Sequence, residues 1–238
     1  MSRIRTLLLT GQNNHDWART TPICQKLLEE AGRFEVTVCD DPSAALTDAA
    51  ALDGVQLLFS DYNGPEWCAE AKANVEAAVH GGTGFVILHA ADNAFRGWVE
   101  YEKMVGLLWR DGTGHGQFHE FPVTICDKEH PITQGLTDFR TWDELYHRLV
   151  HMHDVPYQVL ATAYSGAEKG GTGRDEPVMV VTQYGNGRVY HHVLGHIWPG
   201  DPNGDYKGAS EIAFEPPEFR QSLLRGCEWA ATGRVAEE

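Results

Sequence analysis

Two apolar periods alternate along the first half of this chain. Ile4 to Thr10, Phe34 to Val38, Val55 to Phe59 and Phe85 to Leu88 are short runs of strand-forming residues. Phe34, Val36 and Val38 alternate with polar residues, whereas Phe85-Val86-Ile87-Leu88 is continuously apolar, as a strand buried on both faces must be. Between these runs, Ile23, Leu27, Leu28 and Ala31, then Trp67, Ala71, Val75 and Val79, recur at helical spacing. Thr21 reads as the N-cap of the first helix with Pro22 at its first position, and Gly32 ends it. Pro65 opens the next helix, and Gly81, Gly82 and Gly84 close it. Residues 40–53 predict a short helix or loop, and a further helical pattern runs from Trp98 to Trp109. This β-α-β-β-α-β-α succession predicts an α/β fold, a doubly wound, mostly parallel sheet flanked by helices.

The second half has a different texture. Phe121 to Cys126 and Tyr157 to Ala163 read as strands. Pro177 to Tyr184 and Arg188 to Leu194 flank Gly185-Asn186-Gly187, a hairpin signal that predicts an antiparallel extension near the C-terminus. Residues 165–176 form a Gly-rich, charged loop, and Glu218 to Ala231 a closing helix. No linker divides residues 1–238, which predicts a single domain.

Polar chemistry collects at predicted strand ends. The central strand stops at His89, followed by the small turn Ala90-Ala91 and Asp92. The first strand leads into His15-Asp16-Trp17, the third into Asp61-Tyr62, and the last into Gly195-His196. In open α/β sheets the ligand crevice lies outside the carboxyl ends of the strands. His15, Asp61, His89, His119, Glu144 and His196 are therefore expected around one pocket. A lone histidine at such a place is commonly a satisfied core residue, so the expectation rests on the set. Catalytic candidates are His89, His196, Glu144 and Asp143. Substrate-binding candidates are His15, Asp16, Trp17, Asp61, Tyr62, His119 and Tyr146. His89, His119 and His196 are the candidate metal ligands, for a divalent ion such as zinc, although their spacing matches no short metal motif. His147 and His151 predict a pair on one side of a strand, His191-His192 the sheet surface, and His151 to His153 a surface stretch.

Charge narrows the partners. Nineteen Lys and Arg against 34 Asp and Glu give a formal charge of -15, which opposes binding to nucleic acid or to an anionic membrane. No stretch approaches the ~20 apolar residues of a membrane span. Five scattered cysteines, an odd number with no C-x-x-C pair, predict free thiols in a reducing cytoplasm. Gly112 to Gly116 lacks the G-K-[ST] ending of a phosphate loop. A small polar molecule is the expected partner; homo-oligomerisation stays open.

Gly11…His15-Asp16-Trp17, Leu88-His89-Ala90-Ala91, Gly116…His119, His130-Pro131-Ile132-Thr133-Gln134-Gly135-Leu136, Asp143-Glu144-Leu145-Tyr146, and Gly187-Arg188-Val189 to Leu194-Gly195-His196 occur in this order over nearly the full length. Taken together, they resemble the ThuA-like family, named for trehalose utilisation. The resemblance implies a class I glutamine amidotransferase-like, flavodoxin-like fold. In those amidotransferases a cysteine stands at the elbow and a histidine after a later strand. Here His89 occupies the elbow and His196 matches the later histidine, so the nucleophile is missing and glutaminase activity is not implied. The family's association with catabolism of trehalose and other sugars, and of 3-keto sugars in some members, implies a sugar substrate. Trp17, Tyr62 and Trp198 would suit the C–H faces of a sugar, or serve simply as core.

Three readings follow. The first is an enzyme acting on a disaccharide or keto-sugar by His/carboxylate acid–base chemistry, metal-assisted or not. The second is a non-catalytic sugar-binding or regulatory module on a scaffold that lost its nucleophile. The third is a metal-dependent hydrolase of another small polar substrate.

Overall fold

The computed structural model describes residues 3–236; residues 1–2 and 237–238, the two ends of the predicted 1–238 domain, lie outside it. The first half runs β1 (Ile4–Leu9), α1 (Trp17–Glu30), β2 (Phe34–Cys39), α2 (Pro42–Ala45), β3 (Leu57–Ser60), α3 (Ala69–Gly81), β4 (Gly84–Leu88) and α4 (Val99–Val105). Then come β5 (Leu107–Leu108), β6 (Gly114–His115), β7 (His119–Ile125), β8 (Phe139–Asp143), β9 (Tyr146–His147) and β10 (Val150–His151). The chain closes with β11 (Tyr157–Ser165), β12 (Arg174–Tyr184), β13 (Gly187–His192) and α5 (Pro217–Thr232).

Nine strands form one sheet in the order β2-β1-β3-β4-β13-β12-β11-β7-β8. From β2 to β13 neighbours are parallel; from β13 to β8 they are antiparallel. The two-residue period of a strand sends alternate side chains to opposite faces. In β4, Val86 and Leu88 join the core under α1 and α5, with Leu8, Leu28, Phe219 and Leu223. Phe85 and Ile87 join the other core, under α3 and α4, with Val75, Val79, Tyr101 and Val105. Both faces are covered, which is why this strand reads as an unbroken apolar run.

Two glycines let α5 lie close to the sheet. A Cβ on Gly84 would stand 2.3 Å from the Ala230 carbonyl carbon, and one on Gly226 would stand 2.0 Å from the buried ring of Tyr190. Gly226→Ala is expected to destabilise the protein by about 1–3 kcal/mol through overpacking, despite the roughly 1 kcal/mol that alanine gains over glycine inside a helix. Urea unfolding midpoints of the variant and parent check this.

Several sequence expectations are corrected. Helix α1 begins at Trp17, so Thr21 is not its cap and Pro22 lies inside it. Thr21 has another use: its hydroxyl lies 2.6 Å from that of Thr10 and donates to Asp61 Oδ2 at 3.2 Å. The Trp98–Trp109 helix is shorter, because Gly106 takes a left-handed φ of 77° and the chain turns into β5. Helix α3 starts at Ala69 rather than Pro65. His191 and His192 are buried, because β13 lies mid-sheet between β4 and β12. His147 and His151 do not share a strand: Arg148, at φ 58°, separates β9 from β10, and these pair with β6 and β5 respectively. The 165–176 loop shrinks to residues 166–173 and is tied down, with Gly173 N donating to Ser165 O at 2.7 Å and Gln117 N to Lys169 O at 2.8 Å. The five cysteines are unpaired, and among the described residues no helix is long and apolar enough to cross a membrane.

Candidate functional site

Strands β1, β3, β4 and β13 run parallel, so their carboxyl ends share one edge. His15 follows β1, His89 comes directly after β4, and His196 follows β13. The turn at His89 is tight: this non-glycine residue has φ 45°, a backbone state that costs of order 1–3 kcal/mol and persists where surrounding structure enforces it. What enforces it is visible. His89 Nδ1 lies 2.7 Å from the Val193 carbonyl, and its ring stacks on Tyr146 with centroids 4.5 Å apart. A carbonyl only accepts, so Nδ1 carries the proton and Nε2 presents a lone pair. That lone pair faces the Tyr146 hydroxyl at 3.1 Å and His196 Nδ1 at 3.2 Å.

Two adjacent carboxylates have different tasks. Asp143, fully buried, accepts from the backbone N–H groups of Glu144, Gly195 and His196. It holds the turn that delivers His196. Burial pushes its carboxyl up to about 7, against the pull of those three hydrogen bonds. Glu144 faces the opening. Its Oε1 accepts from Trp198 Nε1 at 3.1 Å and the Tyr206 hydroxyl at 3.4 Å; its Oε2 lies 3.4 Å from His115 Nδ1 and 3.5 Å from His196 Nδ1. Burial raises its pKa, opposed by the Trp198 hydrogen bond, His115 and Tyr206.

The histidines are held neutral. Burial lowers His15 to about 4 and His196 to about 2, and puts His89 well below its usual value; each also feels neighbouring imidazoles. His15 Nδ1 lies 3.0 Å from Asn14 Oδ1 and 3.2 Å from Asn13 Oδ1, while its ring stacks on Trp198 at 4.7 Å. His15, His89 and His196 bring one ligand atom each within 4.8 Å of one another.

These groups border a cleft lined by Asn14, His15, Asn63, Ala90, Asn93, Trp109, His115, Glu144, Tyr146 and Trp198. A comparable cleft beside Ile23, Leu27 and Phe214 has no histidine and lies away from the strand ends.

The sequence candidates separate accordingly. His15, Glu144 and Tyr146 line the cleft; His89, His196 and Asp143 stand behind it. His119 does not join the histidine cluster: its Nδ1 lies 2.6 Å from the Gln117 carbonyl and its ring packs on Phe121. His15 takes its place. Asp61 is buried on Thr21, with its carboxyl pushed by burial up to about 8. Tyr62 is core, stacked on Phe95, with its hydroxyl donating to the Pro65 carbonyl. Asp16 precedes α1 and pairs with Arg19, and Trp17 is the first residue of that helix. Sequence reasoning missed His115 and Trp109. His115 lies in β6, four residues before His119 at the start of β7, and β6–β9 pairing sets it opposite Tyr146.

The chain matches the family model described as ThuA, trehalose utilisation, over residues 5–230. The protein belongs to the ThuA family. A thua-like protein of Parabacteroides merdae is similar along its length: 36% identity, 100% of this chain and 93% of that one, TM-score 0.87. A thua-like protein of Bacteroides uniformis has 15% identity, coverage of 98% and 95%, and TM-score 0.72. A GMP synthase subunit protein of Thermoplasma acidophilum, with 12% identity, coverage of 98% and 97%, and TM-score 0.55, shares the fold. No curated protein matches the chain. This ThuA-family chain thus has the amidotransferase-like α/β fold, with a histidine at its elbow.

Proposed function

We infer that this ThuA-family protein is a carbohydrate-catabolic enzyme acting on a disaccharide or keto-sugar derivative by histidine and carboxylate acid–base chemistry, without glutaminase activity. The supporting observation is Glu144: a largely buried carboxylate in the cleft wall, raised by burial, between His115 and His196 and beside two tryptophans. A general acid or base works best with a pKa near the working pH. In a keto-sugar, the carbonyl acidifies the neighbouring C–H. Glu144 takes that proton, and the C–H electron pair moves onto the carbonyl to form an enediolate. Loss of an oxygen substituent from the next carbon, or return of the proton to a different carbon, completes elimination or isomerisation. Trp109 and Trp198 offer faces for the sugar's C–H surface, and Asn14, Asn63 and Asn93 offer partners for its hydroxyls. Unpaired thiols are consistent with work in a reducing cytoplasm.

The test is product analysis with a panel of keto-glycosides and their parent disaccharides. Turnover is expected on a keto-glycoside, and Trp109→Ala is expected to raise KM about tenfold, the equivalent of roughly 1.4 kcal/mol, with a smaller change in kcat. Saturable sugar binding without product from any member would favour a binding module instead.

A further inference from the structure

We propose that His15, His89 and His196 form a zinc site behind the cleft. The proposal deepens the acid–base reading above and rests on it for the substrate, though not for the metal. Zinc takes three imidazoles and leaves a fourth position open in catalytic sites, at Zn–N distances of roughly 2.0–2.1 Å. A ring centroid then sits about 3.2 Å from the ion, and two such centroids at the tetrahedral angle stand about 5.2 Å apart. The centroid separations here are 4.9 Å for His15–His89, 4.8 Å for His15–His196 and 5.3 Å for His89–His196. Two nitrogen ligands of one tetrahedral ion lie about 3.4 Å apart, and His89 Nε2 already stands 3.2 Å from His196 Nδ1. Across the three rings the ligand atoms fall within 4.8 Å, so closure asks for shifts of up to about 1.4 Å.

The surroundings fit as well. Metal-ligating histidines donate their second ring N–H to a carbonyl or carboxylate, which fixes the tautomer and the ring. His89 does so to the Val193 carbonyl, and His15 to the side-chain oxygens of Asn13 and Asn14. Both therefore point a lone pair inward. His196 offers Nδ1, the nitrogen that faces His89 Nε2 at 3.2 Å; with an ion on Nδ1 the ring proton sits on Nε2. Negative charge is at hand in Glu144, 3.5 Å from His196 Nδ1. His15 lines the cleft, which gives an ion its way in.

The experiment uses full-length protein stripped with a chelator, dialysed, and titrated with zinc in a calorimeter, with bound metal counted by mass spectrometry. Wild type is expected to bind one equivalent. His15→Gln and His89→Gln are expected to weaken binding at least 100-fold, and Asn14→Ala about 10–100-fold, the usual cost of a supporting partner. His119→Gln and His151→Gln are expected to bind like wild type. Cobalt substitution reads the geometry: intense visible absorption is expected from a tetrahedral site in wild type and not in His15→Gln. Thermal melts accompany each variant; should His89→Gln fail to fold, His15→Gln and Asn14→Ala carry the test. Zinc binding absent from wild type, or retained at full strength in His15→Gln, overturns the proposal. Loss of turnover in Glu144→Gln alongside absent zinc binding would sink only the metal. One equivalent of zinc lost on His15→Gln, with no turnover of any keto-glycoside, would sink only the sugar reading.

Discussion

Glu144→Gln is expected to lower kcat on a keto-glycoside by roughly 10²–10⁴, the worth of a positioned acid or base, while the melting temperature stays within a few degrees of wild type. Glutamine keeps the shape and can still accept from Trp198 Nε1 and the Tyr206 hydroxyl through its amide oxygen, so the wall of the cleft survives. What it lacks is a titrating oxygen beside His115 and His196. KM should change far less than kcat, because the lost interaction belongs to the transition state. Steady-state kinetics beside a thermal melt check the split. A fall in kcat that only mirrored unfolding would assign Glu144 a structural role.

Asp61→Asn is expected to stabilise the protein, increasingly so toward alkaline pH. Burial pushes the Asp61 carboxyl up to about 8, and the hydrogen bond from Thr21 offsets only part of this. In the unfolded chain the same group titrates near 3.9. Between these values the folded protein holds a proton that the unfolded chain has released, so wild-type stability falls as pH rises through this window. The slope for one such proton is about 1.4 kcal/mol per pH unit. Asparagine carries no charge, so the variant's advantage should grow from about pH 4 to about pH 8 and then level off. Urea unfolding at several pH values measures it; a gap independent of pH would show that Asp61 is ionised in the folded protein throughout.

The elbow was legible in the sequence because β4 is covered on both faces: four apolar residues without interruption, then a histidine, leave few alternatives to a buried parallel strand and its crevice. The same logic placed His15 and His196 at this edge of the sheet, each on the loop that follows a parallel strand. It failed where a local signal met a tertiary use. Thr21-Pro22 has the composition of a helix start, but the Thr21 hydroxyl is committed to Thr10 and Asp61, and α1 begins a turn earlier. His191-His192 looks like surface by polarity. Yet His192 lies under α5, its Nε2 3.2 Å from Ser222 Oγ, and His191 Nε2 lies 3.5 Å from Asp92 Oδ2 beneath the elbow turn. His115 and His119 stand four residues apart in one Gly-rich stretch of sequence, and only the β6–β9 register decides that His115 meets the cleft. Trp109 carried no signal, since its role comes from long-range packing on Tyr146 at 4.5 Å.

Diffusing a slowly reacting keto-glycoside into crystals of Glu144→Gln tests the central claim most directly. The sugar is expected in the cleft, with a ring face on Trp109 or Trp198 and an acidic C–H within about 3.5 Å of the residue-144 side chain, near-attack distance for proton transfer. A sugar bound away from His15, Glu144 and Tyr146, with the cleft at the strand ends empty, would contradict it.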